Sequence, residues 1–384
     1  MGQDTVFGQV VKLIPRNVFE TSVRKHEGDK GVRTLDCWTW FGAMLFGQLT
    51  GHDSIRAIER VFAHGDKQLE KLGFGEVKKS TFADANQNRP LQILIEVYEH
   101  VLQKAMHLRP QKSHFRFHGQ VLALDSTTIE LCLSLCPWAL FHHSKGAVKL
   151  HAAIDIASHL PQVVVMTDGR THDVKAAKNA MTFAKGANLI MDRAYVDYAW
   201  LNSLNQDGVY FITRMKKNCQ FKVIKSQHTN RTRGHICDQV IKLKSQKGQA
   251  HQGYLRRISY RAPDTGKKLV FLTNRFDLAT QTICDLYKSR WQVELFFKTI
   301  KQNLRIKKFM GTTAHAVQAQ ILVALIAYAL VQILRFVHNR NISIPDAMAV
   351  LGTLLLLRQP LSILLGILPR TTRYPPPLQL AFNF

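Results

Sequence analysis

Val121-Leu122-Ala123-Leu124-Asp125 and Leu189-Ile190-Met191-Asp192 are the two stretches on which the reading of this chain turns. Each is an apolar run of strand length that ends on a carboxylate. Strands without polar alternation are buried on both faces, as in sheets covered by helices. A side chain where such a strand ends projects into the crevice at the sheet's carboxyl edge. If the two strands are neighbours, Asp125 and Asp192 converge, and two such carboxylates repel unless a cation accompanies them. Taken singly, each also reads as a turn cap, Asp125 over Ser126 and Thr127 and Asp192 over Arg193.

Working outward, residues 121–124, 148–156 and 162–166 read as three strands, the last ending in the hairpin-like Asp168-Gly169. Asp173 caps a helix over 174–184, and a strand at 189–191, a helix at 198–204 and a fifth strand at 209–213 follow. The next segment is basic, with short β-like pieces at 221–224, 240–243, 255–260 and 269–273. A long helix is expected over 280–308, then further helices to about 368 and an extended Pro-rich tail over 375–384. The first ~115 residues read as helical, with Asp53 and Ser80 as N-caps and an amphipathic run over 91–105. There the helix after Asp53 and the segment 79–86 are a candidate helix-turn-helix, which a plain helical packing unit explains as well. The expected class is α/β, divided into 1–115, 116–213, 214–278 (the β-rich basic insertion), 279–310 and 311–384.

The 384 residues, 46% of them hydrophobic, suffice for a sizeable core and exclude a disordered chain. The formal net charge of +25 favours a polyanionic partner, nucleic acid first. From 209 to 268 there are 15 Lys or Arg against two acids, so this stretch alone holds +13 of it. Six scattered cysteines without CxxC pairs suggest reduced thiols in the cytosol, and Cys132, Cys136 and His142 lack a fourth ligand for zinc. Residues 316–334 are uncharged over a length close to a membrane span, but three glutamines favour a buried helix, so no membrane is expected.

The third carboxylate sits in a pattern. Tyr287, Arg290, Glu294 and Lys301 fall at offsets of 0, 3, 7 and 14, which at about 100° per residue puts all four within an arc of about 60°. Leu286, Val293, Phe297, Ile300 and Leu304 form an adjacent stripe that would bury against the sheet and aim the polar face at its edge. Glu294 is the only acid among seven Lys or Arg from 288 to 308, so it is a structural ion-pair partner or a ligand. As ligands, three carboxylates suit two Mg²⁺ or Mn²⁺ ions better than zinc and point to phosphodiester chemistry. Tyr287, Arg290 and Lys301, with Lys298, would then hold backbone phosphates. Lys216, Lys217, Arg256 and Arg257 are the expected DNA contacts of the basic insertion. Asp155, Asp168 and Asp173 each have a ready structural role in a strand, a turn and a helix start, and no histidine base is required.

The order Asp125-Ser126-Thr127, Asp192-Arg193-Ala194-Tyr195-Val196-Asp197 and Tyr287-x2-Arg290-x3-Glu294-x6-Lys301 resembles the DDE transposases of bacterial insertion sequences, more narrowly insertion-sequence family four. The resemblance extends over most of the chain. It implies a ribonuclease H-like catalytic core, Mg²⁺-dependent excision by cut and paste, terminal inverted repeats and target as double-stranded DNA partners, and a synaptic homodimer. It also implies a hairpin step in which some members stack a tryptophan of the insertion on a flipped base. This chain has no Trp between Trp200 and Trp291, which leaves Tyr254, Tyr260 or Phe271 for that role. A ribonuclease H-like nuclease without strand transfer, and a DNA-binding regulator derived from a transposase, are the alternatives.

Overall fold

The computed structural model describes residues 4–367 except 53, 65–66, 110–114, 116, 118, 143–144, 264, 303–308 and 339–341. The expected cap Asp53, Leu304 of the apolar stripe and the 375–384 tail lie outside the described residues.

Among the described residues seven helices open the chain: α1 (Val6–Val11), α2 (Arg16–Lys25), α3 (Cys37–Thr50), α4 (Ile55–His64), α5 (Lys67–Lys71), α6 (Lys79–Asn88) and α7 (Leu91–Leu108). α3 is apolar nearly all round, as a helix buried on every side must be. It starts at Asp36, whose carboxylate accepts the Thr39 N–H, and stops at Gly51 in the left-handed conformation that glycine adopts without strain. α5 intervenes between α4 and α6, so these two do not form the expected tight helix-turn-helix, although they pack together. α6 has no side-chain cap, Ser80 lying inside it, and it turns Phe82, Ala85 and Asn86 inward, with Asn86 accepting from the Trp40 indole.

Ten strands form one sheet: β1 (Val121–Leu131), β2 (Leu140–His142), β3 (Lys145–Asp155), β4 (Pro161–Asp168), β5 (Asn188–Met191), β6 (Tyr210–Arg214), β7 (Phe221–Gln227), β8 (His235–Leu243), β9 (Leu255–Arg261) and β10 (Lys268–Thr273). Their order is β2-β3-β1-β5-β6-β10-β9-β8-β7, with β4 also beside β3. β1 is antiparallel to β3 and parallel to β5, which is parallel to β6. From β10 outward every pairing is antiparallel. The basic segment therefore continues the sheet beyond β6.

Helices α8 (Asp173–Ala180) and α9 (Tyr198–Gln206) cover one face, where Leu122, Leu124, Leu189 and Met191 join Trp200, Leu201 and Leu204 in a core. α10 (Thr280–Ser289) and α11 (Trp291–Gln302) cover the other, packing Leu286, Val293, Phe297 and Ile300 over the Ala123, Ile190 and Ile212 side. α12 (Ala314–Val337) is the one described helix long and apolar enough to cross a membrane, and most of it is buried inside the protein. It packs on α3, α6, α7 and α13 (Ile344–Leu354), and α14 (Leu361–Ile367) follows. The C-terminal helices thus complete the helical body begun at the N-terminus.

Candidate active site

β5 ends at Met191, opposite Leu124 of β1, so the last parallel pair stands one residue before both aspartates. Strand length corrects one expectation: β1 runs on to Leu131 along β3, and Asp125 lies within it rather than at its end. The crevice opens because β5 stops and the chain turns away through a 3₁₀ turn over Arg193–Tyr195. The Thr213 hydroxyl donates to the Asp192 backbone oxygen at 3.2 Å, tying this turn to β6. Asp125 accepts the Ser126 N–H at 2.8 Å.

The single helix expected over 280–308 is two, joined at Arg290. Across the joint the Arg290 N–H bonds Tyr287 O and the Val293 N–H bonds Arg290 O, the i−3 pattern of a tightened turn. Glu294 consequently lies in the first turn of α11, where the helix dipole favours a carboxylate. Arg290 bridges the acids: one guanidinium nitrogen donates to Asp125 Oδ2 at 2.8 Å and another to Glu294 Oε1 at 2.6 Å. Residues 165 positions apart meet through this side chain. The apolar stripe is buried as expected at Leu286, Val293, Phe297 and Ile300, and it holds α10 and α11 in place.

Burial raises the Asp125 carboxyl above its ordinary range, and repulsion from Asp192 and Glu294 adds to the rise, against the Ser126 hydrogen bond and Arg290. Burial opposes the charge of Arg290, yet Tyr287, Asp125 and Glu294 hold it more firmly protonated than usual. Two carboxylates thus share one guanidinium, and a third, Asp192, is near enough to repel Asp125. Among the described residues no three His, Cys, Asp or Glu side chains stand close enough to hold a metal as they are. The donor chemistry, hard oxygens around an anionic crevice, fits a divalent cation.

The other expected contacts separate by burial. Lys217 and Lys298 are exposed, Lys301 is partly buried, and the Lys216 ammonium donates to Val196 O at 2.8 Å. Arg256 is a correction: it is 2% exposed, paired with Asp238 at 2.6 Å and donating to Leu278 O, so it is a core strut and not a DNA contact. Arg257 is half-buried, donating to Gln239 and lying over the Phe221 ring. Tyr287 is buried against Phe271, ring centroids 4.7 Å apart, with burial pushing its hydroxyl up to about 12. Phe271 and Tyr260 both line a cleft beside Arg290 and exposed Trp291, but Phe271 is only 1% exposed and offers a base little surface to stack on. Asp155 is bound by Ser158 and Asp168 by Thr171, as their structural roles require, whereas Asp173 is not the expected cap: His172 holds that position, and Asp173 lies in the first turn of α8 and pairs with Lys149.

Tyr195, in the motif that follows Asp192, has no role that its sequence position alone assigns. Its ring is fully buried, which raises its pKa, and Asp173, Asp125 and Asp192 are near enough to raise it further against the neighbouring Ser126 hydroxyl. Its place three residues after Asp192 was the available signal.

Residues 116–330, which contain all three carboxylates, match the family described as the transposase DDE domain, and residues 2–75 match a domain of unknown function. A protein named "Putative transposase y4zB", from Sinorhizobium fredii, is 31% identical over 255 residues, 65% of this chain and 70% of its own. The probable transposase for insertion sequence element IS5377 of Geobacillus stearothermophilus is 30% identical over 282 residues, 73% of this chain and 72% of its own. The piggyBac transposase, in its synaptic complex with hairpin DNA, aligns in structure over 95% of this chain and 83% of its own at a TM-score of 0.45 and 11% identity. The chain belongs to the DDE transposase family and is a DNA transposase related to those of insertion sequences.

Proposed function

We propose that this transposase excises and rejoins its element by cut and paste, with Asp125, Asp192 and Glu294 as ligands of two Mg²⁺ ions and with the terminal repeats and target duplex held by a homodimer. The observation that carries the reading is the Arg290 bridge, which gathers Asp125 and Glu294 beside the crevice that opens after Asp192. The spacing Tyr287-x2-Arg290-x3-Glu294-x6-Lys301 supports assignment to insertion-sequence family four. Three antiparallel strands followed by two parallel ones, in the order β4-β3-β1-β5-β6, support a ribonuclease H-like core.

The ions, when bound, would activate the attacking oxygen and stabilise the leaving one at phosphorus. The chain's own residues have distinct tasks. Asp125, buried and crowded by two other acids, is a carboxylate that gains from a cation's arrival. Arg290 releases Asp125 and Glu294 and turns its planar fork to the scissile phosphate, a geometry Lys cannot reproduce. Tyr287, stacked in the core, limits where that fork can go. Lys298 and Lys301 follow on α11 as further backbone contacts.

The test is Mg²⁺-dependent nicking and joining of a duplex carrying the ends of the element that encodes the chain. Purified Asp192→Ala is expected to bind this duplex and not cut it. Cutting by Asp192→Ala at the wild-type rate overturns the ligand assignment. Cutting without joining by the wild type favours the nuclease alternative, and binding without cutting the regulator.

A further inference from the structure

The basic insertion contains two populations of cations. Arg256 and Arg257 are spent inside the protein on Asp238, Gln239 and backbone oxygens. Lys222 and Lys225 on β7, Lys242 on β8 and Lys244 just past it are exposed and pair with no acid among the described residues. Asp238 is the only acid from 209 to 263, and it is buried against Arg256.

The register puts these four lysines on one face. Lys222 stands directly opposite Lys242, and Lys244 is two residues further along the same strand direction. Lys225 follows Lys222 at an offset of three, which in a regular strand would send them to opposite faces. A bulge between Val223 and Lys225 absorbs one residue, and Lys225 pairs with Val240. Val240 shares its face with Lys242, so the bulge returns Lys225 to the lysine side. Opposite it, Phe221, Ile241 and Leu243 face the core shared with α9.

The lysine face is also the face of the active site. Ala123, Ile190, Ile212, Thr273, Arg256, Val240 and Lys225 are successive lateral partners across seven strands. Asp125 lies two residues beyond Ala123 on β1, and hence on the same side. With strands about 4.8 Å apart, β8 and β7 lie roughly 20 to 30 Å from the Asp125/Asp192 crevice, which is less than one B-DNA turn of about 34 Å.

We infer that Lys222, Lys225, Lys242 and Lys244 form a phosphate-binding track for the duplex whose end is in the active site, gripping its backbone up to a helical turn from the cut. The inference rests on the proposed function for the position of the DNA end. A lysine directly opposite another disfavours the sheet by repulsion, and a polyanion laid across the pair removes that cost. The track replaces Arg256 as the insertion's contact with DNA, and its uniform charge reads backbone, not sequence.

The test compares wild type with a Lys222→Gln/Lys225→Gln/Lys242→Gln/Lys244→Gln variant of the full chain, on a 40-bp duplex ending at the cut and on one trimmed to a hairpin-capped 5 bp, about 17 Å long and so too short to reach β8 and β7. On the long duplex the variant is expected to bind on the order of 10- to 100-fold more weakly, with the log affinity against log salt slope shallower by about 3 to 4. On the trimmed duplex the two are expected to bind alike. Lys222→Glu alone is expected to raise the unfolding temperature, by pairing with Lys242, while weakening binding to the long duplex. Unchanged affinity and slope on the long duplex overturn the track, as does an equal loss on both lengths. A wild type that binds both duplexes but never cuts either counts against the proposed function and leaves the length comparison able to decide the track.

Discussion

Arg290 and Arg256 lie on opposite sides of one boundary in the sheet. Both make close ion pairs, at 2.8 and 2.6 Å from their respective aspartates. Arg290 stands where β5 ends, partly exposed, with two acids to hold and a third nearby. Arg256 stands in the outer extension with one acid, no solvent and three backbone or hydroxyl acceptors within reach. The first pair is partly exposed and has two further carboxylates beside it. The second is closed. Under the proposed function, the same side chain serves chemistry in one half of the sheet and rigidity in the other.

The comparison breaks first at the carboxylates. Asp125→Ala, Asp192→Ala and Glu294→Ala are each expected to reduce Mg²⁺-dependent cleavage to background in a nicking assay, while circular dichroism shows an intact fold. Arg256→Ala is expected to do the reverse, costing about 3–5 kcal/mol of stability in urea denaturation because Asp238 is left charged and buried. Combining Arg256→Met with Asp238→Leu should recover most of that loss, and failure to recover would mean that the pair has work beyond structure.

Arg290→Lys sharpens the contrast at smaller amplitude. It keeps the charge and gives up the fork, and losing one charge-assisted hydrogen bond of ~1.5–3 kcal/mol corresponds to roughly 10- to 100-fold slower cleavage. A wild-type rate in single-turnover measurements would show that charge alone suffices.

The smallest effect is on stability against pH. Burial raises the Asp125 pKa in the folded protein, so the ionised side chain is penalised in the fold. That penalty is fully present above the folded pKa and disappears as the pH falls below the unfolded value of about 3.9. Asp125→Asn should therefore unfold at a higher temperature than wild type at neutral pH in EDTA, with the gap closing on acidification. A gap that widens on acidification would mean that the Arg290 bridge outweighs burial.

Element type was legible where a few neighbouring residues dictate it. The strands around 121–124, 189–191 and 209–213 and the helix at 198–204 follow from short apolar runs and an aspartate cap, since Asp197 accepts the Trp200 N–H. The stripe on α10 and α11 followed from spacing, and so did the meeting of Arg290 with Glu294. The break at Arg290 was not legible, because nothing in Ser289-Arg290-Trp291 forbids a helix. The turn tightens there while the residues on either side pack over β1, β5 and β6. Arg256 was misread for a related reason: a cation in a basic stretch resembles its exposed neighbours until the strands pair.

By itself, the sequence determined that this is a mixed α/β chain, strongly basic, with three carboxylates at a transposase's spacing, because strand periodicity, helix caps and helical offsets depend on local geometry. Tertiary structure alone decided which cations face solvent, how far β1 outruns Asp125, and that the insertion extends the catalytic sheet. These outcomes depend on long-range strand pairing, where a one-residue bulge reverses the direction of every side chain beyond it.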